Sequence, residues 1–189
     1  MNAKIVDGTW VTMVTPFTEE DKIDFAALES LVEWFVEKKA DGLFAVCQSS
    51  EMFYLTLPER VELAKFVVRQ SAGRLPVVVS GHVSGSQKEQ MRELAAMADV
   101  GADALVLVTN RLAKEGESEA VVQKNLEKIM KALPNTDLGL YECPYPYKRI
   151  LSPGMLKCVQ TAGGLAFLKT PAAIMPKLTR NCKPLRAHE

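Results

Sequence analysis

Short apolar runs alternate with amphipathic stretches as far as residue 169. The runs at 9–14, 42–47, 76–81, 104–109, 138–141 and 165–169 are apolar almost throughout rather than at every second position, which predicts strands buried on both faces of a parallel sheet. Between the first two, Leu28, Leu31, Val32, Phe35 and Val36 fall at helical spacing behind Asp24, a residue suited to capping a helix N-terminus. The same spacing predicts helices over 57–71, 86–100, 117–133 and 152–161. A weak internal repeat agrees: Ala40-Asp41-Gly42-Leu43-Phe44 and Gly101-Ala102-Asp103-Ala104-Leu105 each leave a helix and enter a strand. Each unit takes roughly 30 residues, the length of a strand–helix–strand step. Such steps build both closed barrels and open doubly wound sheets. After the first strand the chain reads Thr12-Met13-Val14-Thr15-Pro16-Phe17, where a nucleotide-binding open sheet would carry a glycine-rich fingerprint, and this favours the barrel.

Composition narrows the partners. The chain has 189 residues, 48% hydrophobic and 24% charged, enough for one sizeable core. Lysines plus arginines and aspartates plus glutamates each number 23, with neither sign gathered in a block. That excludes an electrostatic footprint for nucleic acid or an anionic membrane and leaves a small uncharged or anionic metabolite as the expected partner. The apolar runs are too short to span a bilayer and residues 1–8 do not resemble a secretion signal, so a cytoplasmic location is expected. Cys47, Cys143, Cys158 and Cys182 are widely separated and the only histidines are His82 and His188, a poor basis for a disulfide framework or a metal centre. Trp10, Trp34 and the methionines are assigned to the core, and His82, at the end of the third strand, to a structural role.

In parallel α/β folds the reactive groups collect where strands end. The sixth run ends in Lys169, behind Leu165, Ala166, Phe167 and Leu168. An amine so placed is poorly solvated as ammonium, and the neutral amine is the nucleophile that a carbonyl carbon needs. Taken alone, a strand-ending lysine more simply reaches solvent. The fifth run ends in Tyr141, and adjacent strands lie about 4.8 Å apart, within reach of a phenol-to-amine proton transfer. Its plainer reading is a packed tyrosine with a satisfied hydroxyl. Behind the second run, Cys47-Gln48-Ser49-Ser50-Glu51 offers amides and hydroxyls for a carboxylate, or forms only a turn.

Together these segments resemble the dihydrodipicolinate synthase and N-acetylneuraminate lyase family, from about Thr9 to Lys169. Thr15-Pro16-Phe17 is similar to its Thr-Pro motif, and Gln48-Ser49-Ser50-Glu51 stands at its Gly-Thr-Thr-Gly-Glu loop. Tyr141-Glu142-Cys143-Pro144 stands at its Tyr-Asn-x-Pro, and Phe167-Leu168-Lys169 at its Schiff-base lysine. The resemblance implies a (β/α)8 barrel, here incomplete with about six βα units, and a class I aldolase or lyase acting on pyruvate or another 2-oxo acid and an aldehyde. It implies Lys169 as the imine-forming residue, Tyr141 as proton relay, Ser49 as the next member of that relay, and Gln48, Ser49 and Ser50 around the substrate carboxylate. No metal or organic cofactor is then needed, and a homo-oligomer, tetramer or dimer, is expected of the intact fold.

Several positions depart from that pattern. Thr109-Asn110-Arg111-Leu112-Ala113 replaces the aromatic segment that offers a tyrosine to a neighbouring subunit, and Arg149 is displaced from the place of the arginine that binds the second substrate in the dihydrodipicolinate branch. A different aldehyde is therefore expected. A complete barrel takes about 250 residues, and the stretch 170–189, with Pro171, Pro176 and Pro184, has no helical period. Restoring one G before the Thr170 codon forces an aspartate after Lys169, as is common in the family. Residues 1–169 are therefore expected to form a partial barrel and 170–189 an out-of-frame tail, with a short variant whose tail covers the open edge as the alternative. An inactive, truncated binding or oligomerising remnant is the competing reading of the whole chain.

Overall fold

The computed structural model describes residues 5–161 and 166–169. Six parallel strands stand in sequence order, β1 (Trp10–Thr12), β2 (Gly42–Ala45), β3 (Val77–Val79), β4 (Ala104–Val108), β5 (Leu138–Tyr141) and β6 (Phe167–Lys169). Five helices alternate with them: α1 (Phe25–Glu37), α2 (Leu57–Ser71), α3 (Gln87–Ala98), α4 (Glu119–Ala132) and α5 (Pro153–Thr161). The expected tail, 170–189, lies outside the described residues, as do residues 162–165 of the helix–strand connection, Leu165 among them.

Capping chemistry sets the helix starts. Asp24 accepts a hydrogen bond from Ala27 N at 2.9 Å, Thr56 and Glu59 form a reciprocal capping box, and Ser86 and Ser152 receive the amides of Glu89 and Met155. Helices α1 to α4 then each lay an apolar stripe on the sheet, Leu28 and Val32 from α1, Leu63, Ala64 and Val67 from α2, Leu94 and Met97 from α3, and Val122, Leu126 and Ile129 from α4. Trp34 is a correction: it is 51% exposed, two positions off the buried stripe of α1, with its ring edge-on to Phe35.

The sheet is curled. In a flat sheet with strands about 4.8 Å apart, β1 and β6 would be separated by roughly 24 Å. Instead the Trp10 and Phe167 rings meet with centroids 4.9 Å apart. Phe44 of β2 touches Phe167 at 5.8 Å and Tyr141 of β5 at 5.7 Å. The registers place Trp10, Gly42, Phe44, Val106, Gly139, Tyr141, Phe167 and Lys169 on one face, and these ring contacts make it the concave, filled interior of a partial barrel. A complete barrel of this kind has eight strands; six are present among the described residues.

Two glycines make the filling feasible. A Cβ at Gly42 would lie 2.4 Å from the Trp10 ring, and one at Gly139 would lie 2.8 Å from Phe167 Cβ and 2.9 Å from its carbonyl oxygen. Gly139→Val is therefore expected to push β6 away from β5 and to cost about 1–3 kcal/mol of stability, read as a lower urea midpoint, whereas Gly85→Val, where a Cβ meets open space, should change it little.

The observed strands are shorter than the apolar runs because several runs leave the ladder before they leave the core. Val46 is wholly buried, yet its φ of 51° ends β2 one residue earlier. Backbone bonds continue beyond the strands, with Met13 N donating to Phe44 O, Gly81 N to Val46 O and Glu142 N to Lys169 O. The C-terminal ends of β1, β2, β3 and β5 thus run into ordered turns that gather at one end of the sheet.

Candidate active site

Lys169 and Tyr141 are direct partners in the β5–β6 register, and Tyr141 is in turn the partner of Val108. Directly opposed residues of parallel strands point to the same face, so the amine and the phenol leave the backbone side by side on the concave face. Lys169 is partly buried and Tyr141 buried.

Tyr141 packs edge-on against Phe44, and its hydroxyl donates to Gln48 Oε1 at 3.4 Å. Burial, followed by the nearby Cys143, pushes its phenol well above the usual range, so it is a neutral hydroxyl able to pass a proton on rather than a standing phenolate. Gln48 Oε1 also accepts from Cys143 Sγ at 3.2 Å, and burial raises that thiol's pKa too. The inner group is therefore Lys169, Tyr141, Gln48 and Cys143, with Gln48 bridging phenol and thiol.

Gln48 is held by a 3-10 turn, Gln48–Ser50, whose members have separate tasks. Ser50 is buried: its hydroxyl donates to Met13 O at 2.7 Å and receives Cys47 N at 3.2 Å. Thr15 of the Thr-Pro segment donates to Ser50 O at 2.8 Å, so the loop after β1 clamps the turn after β2. Ser49 is exposed, and the hydroxyl contact with Tyr141 comes from Gln48. Sequence spacing brings the turn to the site without saying which of three consecutive side chains faces inward.

The loop after β5 is fastened by residues read from sequence only as departures. Asn110 Nδ2 donates toward three carbonyls, Cys143 O at 2.9 Å, Tyr145 O at 2.9 Å and Tyr147 O at 2.6 Å. Tyr147 returns its hydroxyl to the Asn110 and Ala113 carbonyls. Arg149 donates to Glu117 O at 3.1 Å and Lys114 O at 2.5 Å and lies over the Tyr147 ring. It is thus committed to loop carbonyls. Glu142, buried on the opposite side of the strand from Tyr141, receives Leu151 N at 2.9 Å, and burial raises its carboxyl pKa.

His82 lies in the loop directly behind β3. It is fully buried, and Val108 N donates to its Nδ1 at 3.1 Å. A proton on Nδ1 would face that N–H, and desolvation pulls the imidazole pKa from 6.5 to about 4, with Gln90 and Glu93 opposing and Arg111 assisting. The folded state therefore keeps His82 neutral while the unfolded chain takes up a proton below pH 6.5, and stability present above 6.5 is lost as pH falls toward 4. Up to roughly 3 kcal/mol is expected to disappear over that window. Denaturant midpoints measured between pH 7 and 4 should fall more steeply for the wild type than for His82→Gln, which keeps an acceptor but does not titrate.

Among the described residues no cluster of three or more His, Cys, Asp or Glu side chains has the arrangement to hold a metal ion, and no described helix is long and apolar enough to cross a membrane. Cys47 and Cys143 are free thiols.

Comparison with known proteins agrees with the fold. Residues 6–165 match the Dihydrodipicolinate synthetase family. A 4-hydroxy-tetrahydrodipicolinate synthase of Methylococcus capsulatus is 35% identical over 184 residues, covering 92% of this chain and 62% of that protein. The corresponding enzyme of Cellvibrio japonicus is 35% identical over 115 residues, 59% of this chain and 39% of its own length. The chain thus spans less than two thirds of these relatives. Among solved structures, the chloride-inhibited dihydrodipicolinate synthase from Acinetobacter baumannii complexed with pyruvate superposes with a TM-score of 0.78 at 26% identity, covering 92% of this chain and 58% of that one. The sialic acid aldolase of Ruminococcus gnavus shares the fold, with a TM-score of 0.77 at 17% identity over 93% of this chain and 59% of that one. A curled sheet of six parallel strands and a match over residues 6–165 lead to one conclusion: this chain belongs to the dihydrodipicolinate synthetase family.

Proposed function

We propose that the chain forms a Schiff base between Lys169 and the ketone of pyruvate or a related 2-oxo acid, as the first step of a carbon–carbon bond-forming or bond-breaking reaction with an aldehyde. The observation that carries this reading is the strand register that sets Lys169 beside Tyr141 on the filled face of the barrel. The relative solved with pyruvate, at 26% identity, supports the choice of 2-oxo acid.

The chemistry follows from the two groups. The neutral amine attacks the ketone carbon, and the resulting carbinolamine loses water once its oxygen receives a proton. Tyr141 is the nearby hydroxyl for that transfer, and its bond to Gln48 keeps it turned toward the pocket. The protonated imine then withdraws electrons from the adjacent carbon. That carbon gives a proton to the Tyr141 oxygen, which the dehydration left without one, and so becomes an enamine, the nucleophile that adds to an aldehyde. Residues 1–169 carry every group this scheme uses, and the turn Gln48–Ser50 supplies amides and a side-chain amide for the carboxylate.

Enamine formation needs no aldehyde and gives the test. In deuterium oxide the methyl protons of pyruvate should exchange in the presence of the protein, faster than with free lysine at the same concentration, as followed by proton NMR. Exchange no faster than that background, in protein shown to be folded by circular dichroism, would refute the proposal.

A further inference from the structure

A hollow of about 560 Å³ lies on the outer side of α2. Apart from Phe25 of α1, its walls are one stripe of α2 at helical spacing, from Pro58 through Val61, Glu62, Lys65 and Phe66 to Arg69. At 100° per residue this stripe stands opposite Leu63, Ala64 and Val67, the side that α2 buries on the sheet, and so is the helix's outward face. Pro58, Glu62, Lys65 and Arg69 are exposed, and Phe25, Val61 and Phe66 are half-buried. The Phe25 and Phe66 rings meet with centroids 4.9 Å apart, and Arg69 lies over the Phe66 ring with Cζ 5.7 Å from its centroid.

Two properties separate this face from an ordinary solvated one. Its charges are unpaired: the ion pairs among the described residues are Arg60–Glu93, Arg74–Glu33 and Arg92–Glu89, which leaves Glu62 and Lys65 without a partner there and Arg69 with only an aromatic ring. Its charges are also ordered, with the acid toward the start of the helix and the two cations toward its end, around an apolar middle. A face ordered in this way complements itself when turned end for end. Glu62 and Arg69 stand equally far from the midpoint between Lys65 and Phe66, about 5 Å along the axis at 1.5 Å per residue. Two copies of α2 laid antiparallel about that point therefore set the Glu62 of each level with the Arg69 of the other. The Phe66 rings of both copies come to the centre, beside Phe25, and the two helix dipoles oppose. Lys65 stands on the other flank of the stripe, where its stem covers apolar surface and its ammonium group reaches water.

We propose that the outward face of α2, with Phe25 of α1, is an isologous interface between two copies of this chain, with Phe25 and Phe66 at its centre and reciprocal Glu62–Arg69 pairs at its ends. The occupant is a second copy because the order of charge on the face matches its own reversal about a two-fold axis, which an unrelated partner has no reason to reproduce. An apolar middle with a charged rim is the usual anatomy of such a contact. The proposal is independent of the imine chemistry and stands whether or not Lys169 captures a ketone.

Charge reversal tests it. Sedimentation of the full chain at roughly 100 µM, where a contact of micromolar affinity is mostly formed, should give a mass at least twice that of one chain. Glu62→Arg and Arg69→Glu each put like charges level at both ends of the contact, and each should raise the dissociation constant at least about tenfold. The double variant Glu62→Arg/Arg69→Glu exchanges the two signs and should restore association. Both positions are exposed, so the variants should fold, which circular dichroism checks; either single variant suffices if the other misfolds. A wild type that sediments as one chain overturns the proposal and leaves the hollow to a small ligand. An assembly that neither single variant weakens also overturns it, because another surface then holds the copies together. So does a folded double variant no better associated than the single ones.

Discussion

Replacing Lys169 by methionine is expected to remove all protein-dependent deuterium exchange of pyruvate, while Tyr141→Phe should lower it by about 10²–10⁴-fold. The two losses differ in kind. Without the amine there is no covalent intermediate, and no other described group on the concave face replaces it. Without the phenol the imine still forms, but more slowly, because the departing water lacks its proton donor. Neither change should unfold the protein. Methionine continues the apolar character of β6, and phenylalanine retains the edge-on packing of residue 141 against Phe44. The two variants measured side by side, with trapping by borohydride as a second readout, should show Tyr141→Phe slowed but still labelled and Lys169→Met unlabelled.

The largest expected effect on stability is at Arg60. It donates to Gly81 O at 2.7 Å and forms an ion pair with Glu93 at 2.9 Å, with side-chain exposures of only 6% and 5%. Glu93 also receives Val83 N, Ser84 N and the Ser84 hydroxyl. Burial works against that carboxylate, yet the Ser84 backbone bond and Arg60 hold its pKa below the ordinary range. Arg60→Met would leave the anion buried with its cation gone, at a cost of about 3–5 kcal/mol. That is a large share of the roughly 5–15 kcal/mol that holds an ordinary domain together. A denaturant titration should show it directly. The double variant Arg60→Met/Glu93→Gln should recover part of the loss, because the stranded charge is removed while an acceptor for the Ser84 amide remains. The network fixes the loop between β3 and α3, in which His82 lies, so the single variant should also loosen that loop.

Much of this arrangement is legible in the chain itself, and the limits are physical. Asp24 marks a helix start because a side-chain oxygen before an apolar stripe satisfies free amides wherever the helix later packs, and Thr56 and Ser86 cap α2 and α3 in the same way. Strand order follows from apolar runs separated by helices. Strand ends do not, because Val46 is as buried as the strand it leaves; an apolar run reports burial and not pairing. Trp34 shows the reverse error, a large apolar residue that a helix carries on its outer face. At the candidate site, the pairing of Lys169 with Tyr141 could be read because each ends a strand and the register is fixed between neighbours. Gln48 against Ser49 could not, since in a single turn a one-residue step changes the direction of the side chain entirely. Asn110 and Arg111 read in the sequence only as the loss of an aromatic segment. Their surroundings, three carbonyls for Asn110 and an aromatic face for Arg111, depend on contacts 33 to 37 residues away for Asn110 and on the ring of Phe53 for Arg111.

The central claim is that the Lys169 amine captures a 2-oxo acid. Incubation of the full chain with pyruvate and borohydride, followed by peptide mapping, should place a reduced carboxyethyl group on Lys169 and on no other lysine. Folded protein carrying an unmodified Lys169, or modified equally at exposed lysines, would contradict it.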